Sequence, residues 1–183
     1  MRLGITALLL CSFLVGCGKG GSEAANPRLK QAMDKLAAAS SPEARFYALG
    51  QAAKQSLAAG KVEDARKYAQ ELMELLPGFR QDREYGNAAH DANVTLGRIA
   101  VREGRIDDAK RCLFESVRTP GAQQMDYGPS MSLAKDLLEK GEKQAVLDYL
   151  ALCRRFWNNG RLDEWSQQVN EGKIPDFGRN AAD

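Results

Sequence analysis

Gly60-Lys61-Val62-Glu63-Asp64-Ala65-Arg66-Lys67 returns almost unchanged as Gly104-Arg105-Ile106-Asp107-Asp108-Ala109-Lys110-Arg111, and that return decides the fold. A looser copy is Gly141-Glu142-Lys143-Gln144-Ala145, and Gly160-Arg161-Leu162-Asp163-Glu164-Trp165 is a fourth echo. The pattern has the chemistry of a turn between two helices. Glycine closes the first helix in a left-handed conformation that other residues enter at a cost. Acidic side chains a few positions later stand in the first turn of the next helix, where the backbone dipole favours negative charge.

Both flanks of each turn carry apolar residues at three-and-four spacing. Phe46, Leu49, Ala53 and Leu57 precede Gly60; Ala65, Tyr68, Leu72, Leu75 and Leu76 follow it, and Pro77 ends the run. Leu96, Ile99 and Ala100 lead into Gly104, and Ile106, Ala109, Leu113 and Val117 leave it. Met131, Ala134, Leu137 and Leu138 precede Gly141; Val146, Leu150, Cys153 and Phe156 or Trp157 come after. These are amphipathic helices. Asn26-Pro27 and Ser41-Pro42 are helix starts, a capping side chain followed by proline at the first helical position. The expected fold is all-α: about three helical hairpins, one helix before them from about Pro27 to Ala39, and a short one after from about Leu162 to Asn170.

In this arrangement the chain resembles the tetratricopeptide-repeat superfamily over roughly residues 42 to 157. Gly60, Ala65 and Pro77 keep that family's spacing in the first hairpin, and Leu96-Gly97, Gly104 and Ala109 keep it in the second. The third retains Leu133-Ala134 and Gly141, with its alanine one residue early. The large aromatic of the family's first helix is absent, and the glycines stand 44 and then 37 residues apart, against roughly 34 in the family. The resemblance implies a TPR-like stack of antiparallel hairpins over residues 27–183, because a lone hairpin cannot bury its apolar stripe. It also implies an inner groove lined by first helices. Six residues before each turn glycine stands a basic side chain, Lys54, Arg98 and Lys135, at a position that in the family tends to face the groove. A basic row there suits an acidic peptide segment or a carboxylate terminus; the alternative is three ordinary solvated cations on exposed helix faces.

The N-terminus carries a second signal. Arg2 is followed by an apolar run from Leu3 to Val15, too short for a span that needs roughly 20 residues. A charged start, a short apolar centre and small residues at its end make a secretory signal. Leu14-Val15-Gly16-Cys17 resembles the lipobox of bacterial lipoproteins. That resemblance implies a signal peptide over 1–16, removed before Cys17, and a Cys17 carrying a diacylglyceryl thioether and an acylated amine such as a palmitate chain. At about 0.8 kcal/mol per buried methylene, three acyl chains hold a protein on a membrane for good. Residues 17–26, rich in glycine, read as a flexible tether. Gly18 in place of the aspartate that retains many lipoproteins at the inner membrane implies, in a Gram-negative cell, the outer membrane facing the periplasm.

Chemistry is sparse in the body of the chain. Lys and Arg number 26 against 24 Asp and Glu, so the concentrated positive charge of a nucleic-acid protein is missing. No P-loop, dinucleotide glycine motif, G-x-S-x-G or H-E-x-x-H occurs, and neither a catalytic residue, a metal nor another cofactor is expected. The single histidine, His90, adjoins Asp91, but neighbours on a helix do not face each other, so His90 reads as a capping or packing residue. Glu63-Asp64 and Asp107-Asp108 are explained by helix dipoles. Cys112 and Cys153 lie eight and twelve residues past their turn glycines, one helical turn out of step, which favours two buried thiols over a disulfide. The Pro77-Gly78-Phe79 and Thr119-Pro120-Gly121 loops, with Tyr85, Met125 and Tyr127, either contact a partner or cover helix ends. The function expected is that of a non-catalytic, lipid-anchored module that binds a protein partner in an envelope assembly. The alternatives are a hydrolase with a site near His90, or a structural envelope protein with no specific partner.

Overall fold

The first two helices begin where capping side chains place them. Asn26 Oδ1 accepts from the Leu29 amide at 3.1 Å, Ser41 Oγ accepts from the Ala44 amide at 3.1 Å, and a proline follows each. The computed structural model describes residues 26–118, 127–158 and 161–181. The signal peptide, Cys17, the tether up to residue 25, the loop residues Thr119 to Met125, and Gly160 lie outside the described residues.

The elements are α1 (Pro27–Ala38), α2 (Pro42–Ala58), α3 (Val62–Leu75), α4 (Tyr85–Arg102), α5 (Ile106–Glu115), α6 (Ser132–Leu138), α7 (Lys143–Cys153) and α8 (Leu162–Asn170). Short 3-10 turns cover Leu76–Phe79 and Gly178–Ala181. The protein is all-α, with no strand among the described residues, and none of its described helices is long and apolar enough to cross a membrane.

The repeated glycines do what their spacing predicts. Gly60, Gly104 and Gly141 hold φ of 77°, 75° and 84°. At each, the glycine N–H and the next N–H return to carbonyls of the helix just ended: Gly60 to Leu57 and Lys61 to Ser56, Gly104 to Val101 and Arg105 to Ala100, Gly141 to Leu138 and Glu142 to Leu137. This double bond pattern satisfies carbonyls that a helix end otherwise leaves open. Gly172, which the sequence reading passed over, closes α8 in the same way through Val169 and Gln168.

The stripes are buried as their period requires. Phe46, Leu49, Ala53 and Leu57 on α2 are each no more than 2% exposed, and Ala65 and Leu72 on α3 are fully covered. α1 packs on α2; α2 packs on α3 and α4; α3 packs on α4. Further along, α4 packs on α5 and α6, α5 on α6 and α7, α6 on α7, and α7 on α8. Two main cores result. One gathers Leu36, Phe46, Leu49, Leu72 and Leu76 with Ala88, Ala89 and Ala92 of α4. The other holds Val94, Ala100 and Val101 of α4 with Leu113, Leu133, Tyr149, Trp157, Trp165 and Phe177. Helix α4 therefore serves both. It approaches its neighbours closely at Gly97, where an added Cβ would stand 2.4 Å from Leu133 and 2.9 Å from Cys112.

The first long loop is used for packing. Phe79 stacks on Phe46 with centroids 4.3 Å apart and planes 10° from parallel, so it covers the end of the first helix pair. The tail also docks, since Phe177 is buried and meets Trp165 edge-on at 5.0 Å. Cys112 and Cys153 are both free thiols. Burial pushes the Cys153 thiol up to about 12 and raises that of Cys112 as well, so neither supplies a thiolate at neutral pH.

Candidate functional site

A groove runs along the faces of α1, α2 and α4. It consists of a cavity of about 1060 Å³ and one of about 540 Å³ that share Gln51, Lys54, Asp91 and Ser130 in their walls. Gly50 sets the closeness of the two central helices. A Cβ built on it would lie 3.0 Å from Asp91 Oδ2. Beside it Lys54 Nζ meets the same carboxylate oxygen at 2.8 Å, tying α2 to α4 across the groove floor.

The larger cavity has an exposed aromatic on each side. Tyr47 on α2 donates its hydroxyl to Asp82 at 2.6 Å, and Asp82 also accepts from the Glu84 amide at 2.8 Å. Those two donors, the tyrosine first, hold the Asp82 carboxyl below its ordinary range. Opposite stand Tyr127 to Ser130 and, from the far end of the chain, Arg179 and Asn180. Asn180 pins this wall: its Nδ2 donates to the carbonyls of Tyr127 and Pro129 at 2.9 and 3.2 Å, and its own carbonyl accepts from the Met131 amide at 2.6 Å. The Arg179 guanidinium lies 5.9 Å above the Tyr127 ring, a cation–π contact.

His90 is buried at this wall and both ring nitrogens are engaged. Nδ1 lies 3.0 Å from the Ser116 carbonyl and Nε2 accepts from the Ser130 amide at 3.0 Å. A carbonyl can only accept and an amide can only donate, so the ring is neutral with its proton on Nδ1. Burial lowers the pKa of His90; Asp91 and the Ser116 carbonyl oppose that shift and Lys54 adds to it. No protein-family model matches the chain. No curated protein and no solved structure matches it either.

The three basic side chains singled out by register have different surroundings. Lys54 stands where the two cavities meet, paired with Asp91. Arg98 lines the smaller cavity, and its Nε donates to Asp136 of α6 at 2.8 Å. Lys135 is exposed on α6 and belongs to the walls of neither cavity. The sequence reading missed Arg28 and Lys35 of α1, which line the smaller cavity. Their seven-residue spacing, with Gln31 between them, places all three on one face and was a usable signal. Arg179 and Asn180 had no such signal, because a tail turn that docks 50 residues upstream leaves no local pattern.

The walls of the two cavities together carry Arg28, Lys35, Lys54, Arg83, Arg98 and Arg179 against Glu84 and Asp91. In the smaller cavity Thr95 is buried, and its hydroxyl has no hydrogen-bond partner among the described residues. Among the described residues no group of three or more His, Cys, Asp or Glu side chains is arranged to hold a metal.

Proposed function

We propose that this protein is a lipid-anchored envelope module, held by Cys17, that captures an acidic segment of a protein partner in the groove over α1, α2 and α4. The excess of basic over acidic side chains in the groove walls carries the reading. Such a surplus attracts and orients an anionic chain even where single exposed charges contribute little. The Gln55 amide in the wall of the smaller cavity offers hydrogen bonds that fix an extended backbone.

The same proposal takes the three helix pairs as a TPR-like stack. Two contacts whose basic partners share one register support it, although Glu103 precedes its turn glycine and Glu142 follows its own. Arg66, six residues after Gly60, pairs with Glu103 beside the next turn glycine. Lys110, six residues after Gly104, reaches Glu142 beside the third at 3.3 Å. Similar contacts between successive pairs are what stacked repeats produce.

Catalysis near His90 is the second reading, since His90 does line the larger cavity. Its ring already gives its one proton to Ser116 and its one lone pair to Ser130. A general base needs that lone pair for the substrate, so binding is the better use of this groove.

Two experiments test the proposal. Crosslinking in intact cells followed by capture of the protein is expected to recover a partner with an acidic stretch, and the double charge reversal Lys35→Glu with Arg179→Glu to cut recovery by about tenfold. Recovery unchanged by those reversals would discard the groove. Mass spectrometry of the mature protein is expected to find an acylated Cys17 at the N-terminus; a product that still begins with Met1 and bears no acyl groups removes the anchor.

A further inference from the structure

Ser130 is held more firmly than a loop residue requires. Its amide donates to His90 Nε2 on α4 at 3.0 Å, and its carbonyl accepts from the Tyr149 hydroxyl on α7 at 3.2 Å. The next amide, Met131, donates to Asn180 in the tail at 2.6 Å. Ser130 also stands in the walls of both cavities. Two adjacent backbone positions, Ser130 and Met131, therefore join α4, α7 and the tail beside the groove, and only one of their holders can titrate near neutral pH.

We propose that His90 is an acid-sensitive latch on the groove wall, releasing Ser130 when its Nε2 takes up a proton and so loosening the segment Tyr127–Ser130 that faces α2. The inference rests on reading the groove as the binding site. The neutral ring offers Nε2 as an acceptor; a proton from solvent on that nitrogen sets one N–H against another at the same separation. The Nδ1–H bond to Ser116 survives the change, so α5 keeps its hold while the wall loses its own. The charged groups that act on the ring are Asp91 on α4 and Lys54 on α2, while Arg83, Glu84 and Arg179 stand in the walls of the same cavity. At the end of α5 the ring meets the uncharged Ser116 carbonyl, and from α7 the uncharged Tyr149 hydroxyl reaches Ser130 beside it.

The direction of the acid effect follows from burial. An unfolded histidine binds its proton near pH 6.5, whereas His90 in the fold resists until the medium is more acidic. Between those two points the loosened state binds more protons than the latched one, and acid favours it. The wall is therefore held at neutral pH, and its hold weakens as pH falls below 6.5 towards the lowered pKa of His90.

The test is amide exchange at Ser130 read by NMR on the whole protein, corrected for intrinsic exchange at each pH. In the wild type, protection of Ser130 is expected to fall about tenfold or more between about pH 7.5 and pH 5, while Leu49 and Ala53 in α2 keep theirs. His90→Gln offers a carbonyl oxygen that accepts without titrating, and is expected to stay protected at both values. His90→Phe offers no acceptor and is expected to be unprotected at both. Equal wild-type protection at the two pH values overturns the latch, as does a His90→Gln protein that loses protection as the wild type does. Should His90→Phe fail to fold, the wild-type and His90→Gln pair still decides. No partner enters this measurement, so a failed capture experiment leaves its outcome intact.

Discussion

Trp165→Ala is expected to destabilise the protein by about 3–5 kcal/mol and to lower the melting temperature by roughly 6–20 °C, measured by thermal circular dichroism. Trp165 is 2% exposed and sits between two other rings, with Trp157 at 5.8 Å and Phe177 at 5.0 Å between centroids. Truncation leaves a hole at the join of α8, the tail and the C-terminal core. A companion change separates area from hydrogen bonding. The Trp165 indole nitrogen is buried without a partner among the described residues, so Trp165→Phe removes an unsatisfied donor while keeping most of the apolar surface. That substitution is expected to cost less than about 1.5 kcal/mol. A loss equal to that of alanine would mean that the indole N–H has a partner.

Gly128→Ala has the next largest expected effect. Gly128 holds φ of 77°, and a Cβ there would lie 2.4 Å from two atoms of the Trp157 ring. The left-handed conformation costs a non-glycine residue about 1–2 kcal/mol, and forcing a methyl against a packed indole about 1–3 kcal/mol more. Together they predict a loss of about 2–5 kcal/mol. Unlike the Trp165 change, this one moves the groove wall. Exchange at Ser130 should rise at neutral pH in Gly128→Ala even though His90 is untouched. A variant as stable as the wild type would show that Trp157 yields without cost.

Local periodicity made the helices legible, and distance in sequence hid much of the site. The stripe through Phe46, Leu49, Ala53 and Leu57 and the turn at Gly60 are set by neighbours three, four or five residues away, so pattern alone places them. Lys54 was visible as a groove residue for the same reason. Its partner Asp91 was not, because that pair depends on how α2 and α4 lie together. Register also placed Lys135 in one row with Lys54 and Arg98. Helix α6 is only 7 residues long, and Lys135 lines neither cavity. His90 was legible as a packing residue but not as a link, since its two partners lie 26 and 40 residues away. Asp91, its sequence neighbour, turned instead to Lys54.

Helix α4 gives its first half to one core and its second half to the other. The two ends of the molecule thus meet along an 18-residue rod and not across a seam. Both cores share that one helix, so displacing it would disturb the packing of both ends of the molecule at once.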